Sequence, residues 1–390
     1  GSEMCIRDSG YPNPNDIVID YDIDFSPDGL TKNQAAIGDY LGNVQLAGGA
    51  DTISPLIAAL FGIEEVPDLG RAYDSLSPQS YLENLTASMY SNLQFSNSLL
   101  SCRAQTGANR FIAETGCGWM RAGGQRYWHD SSSASLGFAQ DSMELAGGVQ
   151  SSVGTDWFIG LGGSYTASRY EVSGFASGET VQGQLGAVLK KQLGATLVSA
   201  SLTGGMAWYD TNRIIAAGPL TIGSNGEATA EFASAHVRIS HAFEQGNWYI
   251  KPMIDGGLTY LHLDSFNETG GGGIGLVVNS QDEVYGTINP AIEIGGEYQA
   301  DGMIVRPYAR AGLLQVIGDD TPEISAGLAD APAGVAPFTV SGDNDMTFAD
   351  VAVGMDILTN GGVDLRVEAA GQLSENTRSF GGMMKLSLPF

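Results

Sequence analysis

The sequence predicts an all-β transmembrane barrel of twelve antiparallel strands, with an N-terminal α-helical segment that threads or plugs the lumen. Three observations support this fold class. Apolar and polar residues alternate with period 2 through most of the chain after residue 116, short turns alternate with long links, and one long polar helix precedes the strands. A strand with two regular but chemically different faces lies between two different environments.

The last hairpin shows the alternation clearly. Reading back from Phe390, the residues Leu388, Leu386 and Met384 form one face, and Lys385 belongs to the other. A soluble sandwich would bury the apolar face in a core, whereas an outer-membrane barrel would place it in lipid and the charges in a polar lumen. Twelve such segments are predicted, at about residues 116–130, 136–153, 156–173, 179–193, 196–213, 227–244, 248–264, 282–299, 303–318, 346–359, 363–375 and 377–390.

The connections favour the membrane barrel. Tight turns at 154–155, 194–195, 245–247, 300–302 and 360–362 alternate with long links around 212–226, 265–281 and 319–345. Outer-membrane barrels have short turns at one end and longer loops at the other. Most of the segments also exceed the 5 or 6 residues of an ordinary soluble strand and suit the roughly 9–11 residues of a tilted membrane strand.

Charged and aromatic residues assign the two faces. Charged residues on the face opposite the apolar one are predicted to point into the lumen; they are Lys251, Asp255, Glu293, Glu297, Arg306, Arg310, Arg366 and Glu368. Tryptophans next to short turns or long links are predicted to form two interfacial girdles. These tryptophans are Trp128, Trp157, Trp208 and Trp248.

Composition excludes several classes of protein. The net charge is −26, from 44 acidic and 18 basic residues. This argues against nucleic acid or an anionic membrane surface as a partner, because both require a basic face. No apolar run approaches the roughly 18 residues of a transmembrane helix, so a membrane crossing must use the barrel.

The N-terminal 30 residues carry little fold information. Residues 1–10 match neither a secretory signal nor a strand or helix pattern, and we interpret them as a remnant of cloning or sequence assembly. Residues 11–30 are interpreted as the remnant of a preceding domain, with one strand over 16–25 that lacks a partner. The carboxylates of this strand suit Ca²⁺, but a solvated acidic face is the preferred interpretation.

Residues 31–105 are predicted to form a helical linker. Thr31 and Gln34 fit a capping box, Ser54-Pro55 opens a short apolar helix, and Ser77 with Pro78 fits the N-cap and first position of a helix over 77–101. That helix would be roughly 37 Å long, enough to cross a hydrocarbon core of about 30 Å. Its polar residues are mostly small and uncharged, so it is too polar to face lipid and suits a polar pore.

Two cysteines flank the start of the first strand. Cys102 and Cys117 suit a small disulfide loop in an oxidising compartment, and two unpaired, partly buried thiols are the alternative. A thiol count on the oxidised, unfolded protein distinguishes the two.

The sequence offers no catalytic constellation. His129, His236, His241 and His262 lack metal-ligand spacing, and the glycine run 270–273 is not followed by a helix. The acidic loop 319–345 suits weak Ca²⁺ binding less well than simple solvation. We predict no enzyme activity, no metal and no cofactor.

Several motifs resemble the translocator (β) domain of type V secretion autotransporters. They are L-S-P-Q-S-Y at 76–81, C-R at 102–103, C-G-W-M-R-A at 117–122 and the terminal K-L-S-L-P-F. The resemblance covers roughly residues 31–390. It implies a monomeric barrel over 116–390 in the cell outer membrane, a passenger exported to the cell surface, and a helix left plugging the lumen.

The resemblance also implies a partner for the last strand. The barrel-assembly machinery reads a C-terminal strand that ends in an aromatic residue, here the strand with Leu386, Leu388 and Phe390. Some members cleave themselves at an Asn-Asn pair in the helix, and this helix has none. The alternatives are a stand-alone porin-like or adhesive outer-membrane barrel and a soluble secreted β-sandwich.

Overall fold

A computed structural model describes residues 4–10, 18–100, 102, 107–300, 303–318, 320–359 and 362–390. Four helices precede a closed barrel of twelve antiparallel strands, as predicted. The barrel strands are β1 (Cys117–His129), β2 (Phe138–Ser152), β3 (Trp157–Val172), β4 (Ala176–Leu193), β5 (Thr196–Ala217), β6 (Leu220–His241), β7 (Trp248–Leu263), β8 (Gln281–Gly296), β9 (Met303–Ile317), β10 (Thr347–Thr359), β11 (Asp364–Leu373) and β12 (Thr377–Pro389).

Every barrel strand pairs with its two neighbours in the sequence, and the ring closes between the last strand and the first. At the seam, Pro389 of β12 lies opposite Cys117 of β1. We call the end of the barrel where Pro389 and Cys117 lie the turn end, because the tight turn 194–195 lies there. The opposite end is the loop end. Of the other predicted turns, 300–302 and 360–362 lie mostly outside the described residues.

One predicted long link is wrong. Residues 212–226 belong to β5 and β6, which remain paired up to Ala217 opposite Leu220. Asn212, Gly223 and Gly226 favour turns and led to the loop prediction, but the actual turn is 218–219, where Gly218 has a positive φ of 53°. The two strands therefore extend as a long hairpin at the loop end.

The other two long links contain short strands, which were not predicted. Phe266–Asn267, Leu276–Val278, Glu323–Leu328 and Phe338–Ser341 form a separate four-stranded sheet. Their residues were read as loop because each strand is short.

The helices have nearly the predicted bounds. They are α1 (Lys32–Leu46), α2 (Ser54–Phe61), α3 (Val66–Asp74) and α4 (Gln79–Ser98). The capping box of Thr31 and Gln34 is confirmed. In α4, Pro78 occupies the N-cap position predicted for Ser77, and the helix ends earlier than predicted, so its length is about 30 Å.

The first three helices and the four-stranded sheet form a compact unit over the loop end, which we call the cap. Tyr40 of α1 packs on Phe338 with ring centroids 5.0 Å apart, and its hydroxyl accepts a hydrogen bond from the Leu328 N–H. The Ser75 hydroxyl after α3 bonds both backbone groups of Ala216 at the tip of β5. The cap is therefore joined to the barrel by a buried apolar core and by hydrogen bonds from a side chain of the cap to the backbone of β5.

The N-terminal strand has a partner, contrary to expectation. Met4–Gly10 pairs antiparallel with Val18–Ile23, whereas residues 1–10 showed no strand pattern in the sequence. Backbone pairing does not require a period-2 pattern in both strands, which explains the miss. Residues 16 and 17 of the predicted strand lie outside the described residues.

The outer surface of the barrel is apolar between two levels of tryptophan. Trp157 and Trp248 begin β3 and β7 at the turn end, and Trp128 and Trp208 lie well along β1 and β5. Eleven or twelve residues separate the levels, or about 28 Å at roughly 3.3 Å per residue and a tilt of about 40°. Outward-facing apolar side chains fill this band; they include Met143, Leu145, Leu161, Leu185, Leu202, Leu258, Ile292 and Val353. Within the described residues, none of the helices has the length and hydropathy to span a bilayer.

Candidate functional site: the barrel lumen and the helix inside it

Helix α4 runs through the lumen from the loop end to the turn end. At its start, the Gln79 side chain donates to the Ser341 carbonyl in the cap, 2.8 Å away. At its end, the Lys385 ammonium of β12 donates to the Ser98 carbonyl, 3.3 Å away. A cation at this position also interacts favourably with the negative end of the helix dipole.

One side of α4 is held by neutral polar groups. The Asn92 side chain, which is fully buried, donates to Gln184 (3.0 Å) and Thr203 (3.1 Å) and accepts from Ser234 (2.6 Å). One turn earlier, the Ser88 and Tyr209 hydroxyls lie 2.8 Å apart.

Glycines let the helix approach this side closely. A Cβ on Gly186 would lie 2.7 Å from Leu99, and a Cβ on Gly162 would lie 2.8 Å from the same side chain. A larger residue at either position would force Leu99 to shift, and at Gly186 it would also crowd Thr203 and Phe95 of α4. We call this surface of β3–β6 the packed wall, defined by Gly162, Gly186, Gln184, Thr203, Tyr209 and Ser234.

The other side of α4 borders a polar cavity of about 240 Å³. Four charged pairs line it or lie at its edge: Arg366–Asp356 (2.5 Å), Arg238–Asp255 (2.5 Å), Lys251–Glu293 (2.6 Å) and Arg310–Asp350 (3.8 Å). We call the surface formed by Arg121, Arg310, Arg366, Glu368 and Lys385 the cavity wall. It belongs to β1, β9, β11 and β12.

The structure places the predicted lumen charges in two groups. Six line the cavity: Lys251, Asp255, Glu293, Arg310, Arg366 and Glu368. The other two, Glu297 and Arg306, form a 2.9 Å ion pair at the turn end. Seven of the eight form ion pairs with other wall residues, and Glu368 accepts a hydrogen bond from the Tyr308 hydroxyl.

Three other cations contact α4 directly. Arg121 donates to the Gln94 carbonyl (3.2 Å), Arg238 donates to the Asn97 side chain (2.8 Å), and Lys385 reaches Ser98 as described. Their strands were predicted, so the inward direction of their side chains follows from period 2. Their partners on α4 depend on the rotation of the helix in the lumen, which no sequence pattern specifies.

A buried ion pair anchors the start of α4 at the loop end. Arg213 of β5 donates two hydrogen bonds to Glu268, 2.8 and 2.7 Å long, and also contacts the Ser75 carbonyl. Glu268 further accepts from Tyr81 of α4, 2.9 Å away, and from the Leu276 N–H, 2.9 Å away. Burial raises the pKa of Glu268, but the Arg213 charge and these hydrogen bonds outweigh it and hold the pKa below its ordinary value. Sequence reasoning missed this pair because Arg213 lay where the predicted strand 196–213 meets the predicted link 212–226, and Glu268 lay in the predicted link 265–281.

The chain between α4 and β1 returns across the turn end. Cys102 and Cys117 form a disulfide with Cα atoms 5.9 Å apart, and both are almost completely buried. Next to the disulfide, the Glu114 carboxylate accepts from the Lys190 ammonium at 2.6 Å. A hydrophobic residue of this segment, Phe111, stacks on Tyr249 with ring centroids 4.6 Å apart.

Together, the fold and the lumen define a plugged β-barrel of the outer-membrane type. Residues 118–370 match the family described as Autotransporter beta-domain, and the chain belongs to this family. The structure is similar to the translocator domain of autotransporter NalP from Neisseria meningitidis, with a TM-score of 0.61, 13% identity, and coverage of 80% of this chain and 98% of that one.

Two further solved structures share the fold. The β-domain of the Bordetella autotransporter BrkA has a TM-score of 0.53 and 16% identity, and the match covers 71% of this chain and 100% of that one. The transport unit of AIDA-I from Escherichia coli has a TM-score of 0.50 and 13% identity, with coverage of 78% and 99%. No curated protein matches the chain.

Family membership sets the function at a coarse level. The chain is the outer-membrane translocator unit of an autotransporter, and its family is a transport family rather than a catalytic one. A stand-alone porin-like or adhesive barrel is not favoured.

Proposed function

We propose that this chain adopts the arrangement that follows export, with α4 as the last exported segment held in the pore through which the passenger passed. The direction of α4 is the observation that carries the proposal. Its N-terminus contacts the cap at the loop end and its C-terminus contacts β12 at the turn end, so the chain that precedes α4 lies on the loop side. With the loop end outside the cell, that is where a passenger remains attached.

The packed wall supports a plugging role for α4. Its contacts to the helix are neutral hydrogen bonds, each worth about 1 kcal/mol net, and glycine-permitted packing. Small, uncharged side chains also impose little desolvation cost on a segment that slides through a pore and then stops there. We propose that residues 31–105 are the linker, 116–390 the barrel and 11–30 the end of the passenger.

The last strand is the proposed recognition element for the barrel-assembly machinery. Leu386, Leu388 and Phe390 all point outward, with 45%, 57% and 75% of their surface exposed. An outward apolar row on a strand at the barrel seam is accessible to a partner before closure. We further propose that the translocator is a monomer, that the four tryptophans mark the membrane boundaries, and that the chain itself catalyses no reaction.

Single-channel conductance in planar bilayers tests the plug. The full chain should conduct weakly, and a variant that lacks residues 79–98 should show large, stable openings. Because a deletion can prevent folding, Asn92→Ala in the intact chain is the second variant, and it should produce frequent openings. Ser91→Ala, on the half-buried cavity side, is the matched control. A large conductance in the unmodified chain would contradict the plug and favour an open pore.

A further inference from the structure

Residues 107–116, which we call the return loop, form the floor of the lumen cavity. Phe111, Ile112 and Glu114 line the cavity from the turn end, below the last turn of α4. The loop is distinct from the helix, since it follows the disulfide cysteine Cys102 and leads into β1. Two sets of contacts hold the loop across the opening.

One attachment is a buried carboxylate. Glu114 accepts from the Lys190 ammonium (2.6 Å), the Gln150 amide (2.8 Å) and the Cys102 N–H (3.3 Å). Lys190 is completely buried. A lysine in such a site requires a partner, because an unpaired buried charge is strongly destabilising. Glu114 therefore fixes the loop to β2 and β4 at once.

The second attachment lies about five strands away around the ring of twelve. Arg110 pairs with Glu297 at 3.2 Å and donates to the Gly246 carbonyl at 2.9 Å. Phe111 stacks on Tyr249 of β7, with the Arg306 guanidinium 5.5 Å from its ring centroid. A loop fastened on two nearly opposite walls spans the mouth between them.

We propose that the return loop is a second closure of the lumen, separate from α4, and that Glu114 is the residue that positions it at the periplasmic mouth. The Cys102–Cys117 bond ties the loop to the end of α4 and to the start of β1, so that it cannot be pulled away with the helix. A chain whose plug was displaced would therefore keep a partly covered periplasmic mouth, which passes ions but hinders larger solutes.

The buried disulfide supplies a direct reading of this closure. Both cysteines are about 98% buried; they pack against Phe95 and Leu99 at the end of α4, and the return loop bonds the Cys102 backbone through Glu114 and Thr115. A charged, membrane-impermeant phosphine should therefore reduce the bond faster when the loop opens, even while the end of α4 stays packed. The phosphine attacks one sulfur and supplies two electrons, and one water molecule then provides the oxygen of the phosphine oxide and the two protons of the thiols. Thiols are counted with time on the folded full-length chain in detergent, after the Cys5 thiol has been alkylated.

We expect Glu114→Ala to be reduced at least about tenfold faster than the unmodified chain, since reduction follows the population of the open loop and a factor of ten corresponds to about 1.4 kcal/mol. Asn92→Ala should leave reduction slow, because it removes hydrogen bonds nearer the middle of α4 and leaves Phe95 and Leu99 packed on the disulfide. Phe111→Leu serves as a milder variant if Glu114→Ala does not fold, and it should also be reduced faster.

Two results would overturn the proposal. Reduction of the folded loop variants at the unmodified rate would show that the loop does not shield the disulfide. Equal acceleration by Asn92→Ala and Glu114→Ala would show that α4 and the loop open together. The plug proposal depends instead on conductance, so either proposal can fail while the other stands.

Discussion

The two sides of α4 are held by different chemistry. The packed wall contacts the helix through neutral hydrogen bonds and close glycine contacts, and the cavity wall carries arginine, lysine and glutamate beside a polar cavity. Charges are expensive to desolvate unless well paired, whereas a neutral hydrogen bond avoids this cost. Uncharged groups therefore hold most of the helix in place, and most of the charges keep the rest of the lumen polar.

The largest expected effect is at the loop end, where Glu268 pairs with Arg213 beside the start of α4. Glu268→Ala leaves the buried Arg213 guanidinium without its partner and removes the acceptor for Tyr81, so we expect a loss of about 3–5 kcal/mol in the stability of the cap. Limited proteolysis of the cap, together with thermal unfolding followed by gel mobility, measures it. Glu179→Ala is the control, because its ion pair with Arg169 is exposed. Equal effects of the two substitutions would show that burial of the pair is unimportant.

The same pair predicts a dependence on pH. The pKa of Glu268 is lower in the folded protein than its ordinary value of about 4.3, so its stabilisation is present above that value. It is lost as pH falls through the folded pKa. Protection of the cap from an acid protease should decrease in this range, and Glu268→Gln should abolish that part of the decrease.

The next effect tests the glycines of the packed wall. Gly186→Val places methyl groups where Leu99, Thr203 and Phe95 already lie, and overpacking of this kind costs about 1–3 kcal/mol. We expect α4 to be displaced and the single-channel conductance to rise. Gly118→Val is the matched control, because a Cβ there has no neighbour within 4 Å. If both variants conduct like the unmodified chain, close approach at this wall does not seat the helix.

The cavity wall should respond in the opposite way. Arg310 lies 3.8 Å from Asp350, the longest of the four cavity pairs, and Asp350 also accepts from Asn289 at 3.1 Å, so Arg310→Gln should cost less stability than Gly186→Val. It removes one positive charge from the path beside α4, and residual conductance should become more cation-selective. Reversal potentials in a salt gradient measure this. A loss of stability as large as that of Gly186→Val would remove the distinction between the two walls.

The same distinction explains what the sequence predicted well. The period-2 pattern identified the twelve strands, because each strand separates lipid from a polar interior. It also supplied the inward direction of residues such as Arg366. The role of Gly186 was not predicted, since a glycine that admits a helix looks like any other glycine in a strand.

The remaining misses share a physical cause. Arg213, Glu268 and Glu114 act through partners distant in sequence, and their local context is rich in turn-forming residues or lies between elements. Local propensity therefore gave no sign of their partners. The sheet of the cap was missed in the same way, because its strands have only two to six residues, too short for a period-2 pattern to stand out.

The smallest expected effect belongs to a partly solvated cluster of charges, beyond the tryptophan level nearer the loop end. His262 of β7 lies 2.8 Å from Asp282 and 3.3 Å from Asp264. The hydrogen bond to Asp282 is the main cause that raises the pKa of His262 above its ordinary value of about 6.5. Its stabilisation is therefore fully present below that value and is lost as pH rises through the folded pKa.

Because these side chains are exposed, salt should screen the effect, unlike that of the buried Glu268 pair. Titration of the His262 ring by NMR at low and high ionic strength measures the shift, with His262→Gln as the control for melting curves across the same pH range. A pKa at the ordinary value in low salt would show that the pair does not persist in solution. If the raised pKa of His262 persists at high salt, the cluster behaves like the buried pairs. Burial would then not explain the difference between the charged pairs of the molecule.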